Sequence, residues 1–266
     1  MDEHDWNDLN DEICRRLSLR SNFYVTPLAI CALGDLQNGQ VFGTANYIQV
    51  NADTHLLTCA HVVEQATKQH LAHLPVFGDC YHLITGTWLA GDRSTDAHMD
   101  VALTRMPAML DMKATRCPLR IKESTRDVLT GDMVFLMGYP HQGSWMSLAA
   151  KTLLAPSAPY LTACSSDSVD GFSVPDALFA IEYPMHQKVR TTDGKDRHLR
   201  NAPGLSGSIA IGVPRETWLS GDLEQCLQDT FIAGLITLYG EGRIIGIKHS
   251  VVLGLVEDMV IRLESV

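Results

Sequence analysis

The sequence predicts an all-β fold made of two successive β units, with a helix at each end of the chain. From residue 22 onward the apolar runs are short, rich in β-branched and aromatic residues, and separated by turn segments such as 34–40 and 51–55. Closely spaced strands of this kind are typical of β-sandwiches and β-barrels. A second set of such runs begins after residue 130, and 266 residues suffice for two such units.

The composition along the chain sets the boundaries of these units. We assign residues 1–21 to an N-terminal helical lead, 22–110 to the first β unit, 111–130 to a linker and 131–266 to the second β unit. The first unit holds the runs FYVTPLAICAL, QVFGTANYIQV, THLLTCAHVV, YHLITGTWLA and DVALTRM. The second holds DMVFLMGYP, SLAAKTLLAPSAPYLTAC, ALFAIEYP, SGSIAIGV, FIAGLITLYG and RIIGIKHSVVL.

Three segments have the pattern of helices. Apolar residues at spacings of three and four predict a short amphipathic helix over residues 5–18; they are Trp6, Leu9, Ile13 and Leu17. The closing segment LVEDMVIRLESV has the same spacing and predicts a C-terminal helix. Residues 215–230 predict a partly helical insertion between two strands of the second unit.

Charge and hydropathy exclude several classes of partner. The formal net charge is −10, and the 21 basic residues form no long run, so we expect no nucleic-acid binding. No segment approaches 18 uninterrupted apolar residues, so we expect no membrane span. The first twenty residues are acidic and lack the basic and apolar stretches of a secretory signal, which predicts a cytoplasmic protein.

The cysteine and histidine patterns give no sign of a metal or cofactor. The seven cysteines are scattered, odd in number and never in a CxxC pair, which disfavours both a zinc site and a disulfide framework. We therefore expect free buried thiols. The pairs His55 with His61 and His70 with His73 lack a third ligand, so we predict no metal and no cofactor.

Three local patterns carry residues suited to nucleophilic catalysis. His61 lies in LLTCAHVV, Asp100 precedes the strand of MDVALTRM, and Ser206 stands between Gly204 and Gly207 in NAPGLSGSIAI. Each pattern alone also fits a structural role: a partly buried histidine, a turn aspartate and a glycine-rich hairpin. The nucleophile elbow of α/β-hydrolases is disfavoured, because the β-like SIAIGV follows the serine where a helix is required.

Taken together, the patterns resemble the chymotrypsin-like serine peptidases, especially the bacterial trypsin-like and high-temperature-requirement branch. The order His, Asp, Ser matches, with 39 residues from His61 to Asp100 and 106 from Asp100 to Ser206. Further similarity lies in GDMVFLMGYP, FIAGLITLYGEG and GIKHSVVLGLVEDM, so that the resemblance spans about residues 40–263. It implies two six-stranded antiparallel β-barrels and a serine endopeptidase.

The resemblance also implies a role for each residue. Ser206 would attack the peptide carbonyl, His61 would act as general base and then acid, and Asp100 would orient the imidazole. Asp96 is a poorer candidate than Asp100, since no strand of the VAL type follows it. The backbone amides of Gly204 and Ser206 would form the oxyanion hole.

Two departures from the family pattern bear on compartment and control. Secreted digestive members have a cysteine directly after the histidine and an aspartate directly before the serine, whereas this chain has Val62 and Leu205. The missing half-cystine agrees with a reducing compartment. Without the aspartate, activation by a freed N-terminus is not available. The N-terminal segment is then a candidate docking element for an activating partner protein.

Substrate preference follows from the family's pocket positions, which correspond here to Arg200, Thr237, Tyr239, Gly246 and Lys248. Two cations near the pocket predict a preference for Asp or Glu, unless Arg200 and Lys248 point into solvent. The substrate would be a protein or peptide, with narrow targets in bacterial defence or signalling. A catalytically silent binding module and a serine esterase are the alternative functions.

Overall fold

The structure is a computed structural model that describes most of the chain. The residues it describes are 3–32, 35–66, 70–73, 82–94, 96–106, 117–124, 126–140, 145–147, 152–154, 157–165, 168–169, 172–173, 175–184, 188–190, 196–198, 202–240 and 242–265. Within them, strands predominate, and α-helices lie at the two ends of the chain, after the third strand and in one insertion.

The first β unit forms one sheet. Its strands are β1 (Val25–Ala32), β2 (Asp35–Val50), β3 (Asp53–Thr58), β4 (His70–His73), β5 (His82–Leu83), β6 (Trp88–Ala90), β7 (Ala102–Arg105) and β8 (Leu119–Arg120). Their order is β5-β4-β1-β2-β3-β7-β6, with β8 pairing alongside β2. The first sheet thus has two strands more than the six expected, because short β5 extends one edge and short β8 pairs with the end of β2. All its pairs are antiparallel except β2 with β8.

The second β unit contributes the remaining described strands. They are β9 (Met133–Gly138), β10 (Trp145–Ser147), β11 (Thr152–Leu154), β12 (Ala158–Ala163), β13 (Ser168–Val169), β14 (Phe172–Ser173), β15 (Leu178–Glu182), β16 (Lys188–Arg190), β17 (Asp196–His198), β18 (Ile209–Val213), β19 (Phe231–Gly240) and β20 (Arg243–Lys248). Six of them form an antiparallel sheet in the order β12-β9-β18-β19-β20-β15, and the others pair as three hairpins.

The second sheet curls until its two edge strands meet. Cys164, directly after β12, forms a bridge to Ile181 in β15. The amide of Ser165 donates to the Ala180 carbonyl at 2.9 Å, which extends the same contact. An antiparallel sheet joined in this way leaves few unpaired edge groups. The prediction of two successive β units is therefore confirmed.

The helices are α1 (Glu3–Ser21), α2 (Ala60–Gln65), α3 (Arg215–Ser220), α4 (Leu223–Gln228) and α5 (His249–Glu264). The N-terminal helix is longer than the predicted 5–18 and is part of the core, since its residues Leu9, Ile13 and Leu17 are buried. It packs on α4, β9 and β12 of the second unit. Trp6 lies 4.6 Å from Trp218 between ring centroids, and the Trp218 indole donates to Asn10 at 2.8 Å.

The last helix begins earlier than the sequence indicates. We predicted a strand through residue 253, because Val251, Val252 and Leu253 suit a strand, but the strand ends at Lys248 and α5 begins at His249. Asp127 explains the difference. Its carboxylate accepts from the amide of Ser250 at 2.9 Å and from the Ser250 hydroxyl at 2.7 Å, and so satisfies groups at the start of the helix.

The described part of the predicted linker packs onto both units. Leu119 and Arg120 pair with β2, Ile121 is fully buried, and Asp127 binds α5 as described above. A continuous hydrophobic core joins α1, α5 and strands of both sheets, and a second cluster lies inside the second sheet. Among the described helices, none is both long and apolar enough to cross a bilayer.

His249 makes stability depend on pH. It is 3% exposed, and neither ring nitrogen has a hydrogen-bond partner among the described residues. Burial lowers its pKa below 6.5, although Asp127 and the nearby backbone of Ser124 and Ile121 oppose the shift. Because the unfolded chain then binds the proton more readily, stability is present above pH 6.5 and decreases as the pH falls below it.

We therefore expect His249→Phe to weaken the pH dependence of unfolding. Urea unfolding at pH 7.5 and at pH 5.5 measures the loss of unfolding free energy for the wild type and the variant. The loss should be smaller in the variant, since phenylalanine fills the same site without a titrating group. An equal loss in both proteins would contradict this account of His249.

Candidate active site

His61 and Asp100 are brought together at one end of the first sheet. β3 ends at Thr58, Cys59 is extended, and α2 starts directly after it, so that His61 lies in the first turn. Asp100 follows a 3-10 turn and precedes β7, which pairs with β3. The His61 amide donates to Asp100 Oδ1 at 2.9 Å, and His61 Nδ1 lies 2.7 Å from Asp100 Oδ2.

Asp100 is held ionised by its hydrogen bonds. It is only 3% exposed, and burial alone would raise its pKa. The ring and amide of His61 and the hydroxyl of Thr237 all donate to its carboxylate, and together they lower the pKa below the usual 3.8. A buried carboxylate that stays charged can fix the His61 ring with Nδ1 as donor and leave Nε2 facing outward.

Ser206 lies on a sharply turned loop before β18. Gly204 and Gly207 on either side have φ of 100° and 90°, a conformation that residues with side chains rarely adopt. At Gly207 a Cβ would stand 2.1 Å from the Thr44 carbonyl oxygen, so only glycine fits between the loop and β2. The Ser206 hydroxyl donates to the Thr237 carbonyl at 3.0 Å, its hydrogen-bond partner among the described residues.

The loop leaves two backbone amides without a partner in the described part of the chain. The amides of Leu205, Gly207 and Ser208 donate to carbonyls at 2.8–3.0 Å, whereas no hydrogen bond from the amide of Gly204 or Ser206 is found there. Unpaired amides beside a serine hydroxyl are suited to binding a negatively charged oxygen. Ser206, His61 and Gly204 line the same cavity, whose volume is about 380 Å³.

Comparison with known proteins identifies the family. The sequence pattern of the trypsin-like peptidase domain matches residues 43–208, a segment that contains His61, Asp100 and Ser206. The chain belongs to the trypsin-like peptidase domain family. The predicted relation to chymotrypsin-like serine peptidases is confirmed, and with it the class of serine endopeptidase. No curated protein sequence matches the chain significantly.

Solved structures agree with the fold of this trypsin-like domain. One of 464 similar chains is the crystal structure of a serine endoprotease from Yersinia pestis, with a TM-score of 0.50 and 15% sequence identity. The match covers 94% of this chain and 66% of that protein. The trypsin-like domain thus spans about two thirds of the length of that endoprotease. At this identity the likeness concerns the fold, and it confirms the predicted chymotrypsin-like double barrel.

The predicted pocket residues of the trypsin-like domain are only partly described. Arg200 and the side chain of Tyr239 lie outside the described residues. Gly246 is buried, and a Cβ there would stand 2.3 Å from the Phe179 ring. Lys248 is half-buried, and its amide donates to Ala177. Among the five, Thr237 lines the cavity beside Ser206, but its hydroxyl binds Asp100.

The described walls of that cavity are largely apolar. Phe42 and Val62 stand on the side of the first sheet, and Leu238, 48% exposed, stands on the side of β19. Val62, at the position where secreted digestive members have a half-cystine, fills the space beside Gly43: a Cβ on Gly43 would lie 2.8 Å from it. The remaining lining residues are Gln40, Gln65, Ala202 and Pro203.

One group of potential metal ligands lies within the site. Among the described residues, Cys59, His61 and Asp100 each offer an atom within 4.8 Å of the others. These atoms are already engaged. Burial raises the pKa of Cys59 well above its usual range, its thiol donates to the Ile236 carbonyl at 3.1 Å, and His61 binds Asp100. The donor set therefore fits a hydrogen-bonded network better than a metal, and the absence of a metal stays a prediction.

The Thr237 hydroxyl should control how readily Asp100 is protonated. Because Asp100 has a lowered pKa in the folded protein, its contribution to stability is present above about pH 4 and is lost as the pH falls. Thr237→Val removes one donor and should move the midpoint of acid unfolding to higher pH. Tryptophan fluorescence during acid titration measures it. Thr237→Ser, which keeps a hydroxyl, should resemble the wild type; equal midpoints in all three proteins would contradict this role.

Proposed function

We propose that this trypsin-like domain cleaves peptide bonds with Ser206 as nucleophile, His61 as base and Asp100 as orienting carboxylate. The observation that carries the proposal is that His61, bound to Asp100, lines one cavity with Ser206, where the amides of Gly204 and Ser206 have no partner among the described residues. The charged, buried Asp100 favours the His61 tautomer with a free Nε2, and a free Nε2 is what proton transfer from serine requires.

The reaction begins with a rotation of the Ser206 side chain. Its hydroxyl leaves the Thr237 carbonyl and turns toward His61 Nε2, which accepts the proton as the oxygen attacks the substrate carbonyl. The tetrahedral oxyanion is bound by the amides of Gly204 and Ser206. His61 then protonates the leaving amine. Water attacks the acyl-enzyme while His61 accepts its proton, and His61 returns that proton to the Ser206 oxygen as the carboxylic acid product leaves.

We further propose that the protein works in a reducing, cytoplasmic setting and that a partner protein controls its activity. Val62 packed against Gly43, and free thiols at Cys14, Cys59 and Cys226, suit a reducing compartment. The apolar face of α1 is buried within the domain, so an activating partner would contact its charged face. That face carries Glu12, which binds Arg15 and Arg16. Narrow targets in bacterial defence or signalling fit such control.

The central test is covalent labelling with a fluorophosphonate probe. We expect the wild type to be labelled and Ser206→Ala to be unlabelled, since the probe reacts only with an activated serine hydroxyl. Asp100→Asn should slow labelling by a factor on the order of 10⁴, as the imidazole loses its orienting charge.

Ser265→Ala is the matched control, because Ser265 is exposed at the end of α5, donates to the Ile261 carbonyl and lies outside the cavity that holds Ser206. Unlabelled wild type would overturn the proposal in favour of a silent binding module. Labelled protein that cleaves nitrophenyl esters but no peptide in a degenerate library would overturn it in favour of an esterase.

For substrate preference we propose Asp or Glu before the cleaved bond, on the basis of Arg200 and the half-buried Lys248. Cleavage of a peptide library by wild type and Lys248→Met measures it. We expect a preference for acidic residues that Lys248→Met weakens, because the cation that pairs with the carboxylate is removed. A preference for Lys, Arg or large apolar residues would refute the proposal.

A further inference from the structure

The loop that carries Ser206 is bound from the opposite sheet by Thr44 of β2. The amide of Thr44 donates to the Ser206 carbonyl at 3.1 Å, and its hydroxyl donates to the Gly204 carbonyl at 2.7 Å. Thr44 thereby binds the carbonyl of each of the two residues whose amides have no partner among the described residues. Thr44 is fully buried. The contact is distant in sequence, because 160 residues separate Thr44 from Gly204.

The Thr44 hydroxyl both donates and accepts a hydrogen bond. It accepts from the amide of Tyr139 at 2.9 Å while it donates to Gly204. Tyr139 directly follows β9, so one hydroxyl joins β2, the end of β9 and the Ser206 loop. A buried hydroxyl with both a donor and an acceptor has a single favourable orientation, and it is costly to remove because both partners lose their hydrogen bond.

Neighbouring polar groups hold the rest of the same loop. Asn46, two residues further along β2, donates to the Gly207 carbonyl and accepts from the Ile209 amide at 3.3 Å. The hydroxyl of Ser208 donates to the Leu205 carbonyl at 2.6 Å. Since the C=O and N–H of a planar peptide point in opposite directions, this bond directs the Ser206 amide away from Ser208.

Gly204 is the residue of this loop whose backbone most requires a restraining contact. With φ of 100° and no side chain, it can rotate where other residues cannot. Leu205 next to it cannot form an ion pair, and its side chain is instead buried in the core of the second sheet. Among the described residues, the side-chain contact that fixes the Gly204 carbonyl is the Thr44 hydroxyl. The Gly204 amide belongs to the preceding peptide, so this contact acts on that amide by limiting where Gly204 can lie.

We propose that Thr44 is a positioning residue: by binding the Gly204 and Ser206 carbonyls it fixes where these two residues lie, and so where their oxyanion-binding amides stand, without an ion pair at residue 205. This inference rests on the proposed function. It implies that the loop is formed in the isolated chain by a hydrogen bond from the first sheet.

The test compares Thr44→Val with the wild type in fluorophosphonate labelling. Valine keeps the backbone amide and the shape of the side chain but removes the hydroxyl. We expect the maximal labelling rate constant to fall roughly tenfold to a hundredfold, with the half-saturating probe concentration unchanged, because the loss concerns the transition state. A peptidyl boronic acid, which forms a tetrahedral adduct, should lose affinity by a similar factor. Thr44→Ser should restore both values.

Thr104→Val is the matched control, because Thr104 is equally buried and its hydroxyl donates to the Thr87 carbonyl at 2.9 Å, outside the cavity that holds Ser206. It should lose thermal stability as Thr44→Val does, yet keep the wild-type labelling rate. If Thr44→Val does not fold, Thr44→Cys replaces it, and its weaker donor should give an intermediate rate.

The outcomes separate this inference from the proposed function. Labelled wild type with an equally fast Thr44→Val would overturn the role of Thr44 and leave the peptidase proposal intact. Equal slowing in Thr104→Val would also overturn it, since the effect would then reflect general loss of packing. Wild type that is never labelled would overturn the proposed function itself.

Discussion

Thr237 binds Asp100 through its hydroxyl and Ser206 through its carbonyl, and so it joins the two halves of the candidate site. It can do both because it lies at an irregularity of β19, between Ile236 and Leu238, where the register with β20 shifts. A bulge of this kind turns one residue out of the regular alternation of a strand. Without it, the backbone and side chain of Thr237 could not meet residues of different sheets.

The seam between the sheets is polar, although it is buried. Thr44, Asn46 and Thr58 are completely buried on the side of the first sheet, and they face the loop from Gly204 to Ile209. The hydroxyl of Thr58 donates to the Thr44 carbonyl at 2.7 Å and so fixes the residue that binds the loop. An apolar seam would hold the sheets together but would allow sliding. Directional hydrogen bonds specify one relative placement of His61 and Ser206.

Those features of the fold and of the candidate site that depend on a local sequence pattern could be predicted from the sequence. Two β units, helices at both ends and the order of His61, Asp100 and Ser206 could be predicted, because each follows from hydropathy or from a short motif. The role of Thr44 could not, since it depends on a residue 160 positions away. The available signal is the pair of polar residues Thr44 and Asn46, two positions apart in the otherwise apolar stretch 41–48, but the pattern does not say what they face.

Elsewhere the predictions were wrong or incomplete for a similar reason. The start of α5 depends on Asp127, which lies more than a hundred residues before it, so β-branched residues near 251 gave the wrong boundary. The short helix predicted at 5–18 was correct in type, but its packing against the insertion of the second unit could not be foreseen. In each case a contact distant in sequence decides the local structure.

The packing of α1 on that insertion has a consequence for how the chain folds. The surface that receives Trp6 and Asn10 includes Trp218, and Arg20 reaches the Leu227 carbonyl at 3.3 Å. During synthesis these partners emerge about two hundred residues after the helix. The part of α1 that carries Trp6 and Asn10 therefore stays uncovered until the insertion has been synthesised, although β9 and β12 can cover other parts of the helix earlier. Completion of the packing of α1 is thus a late event in folding.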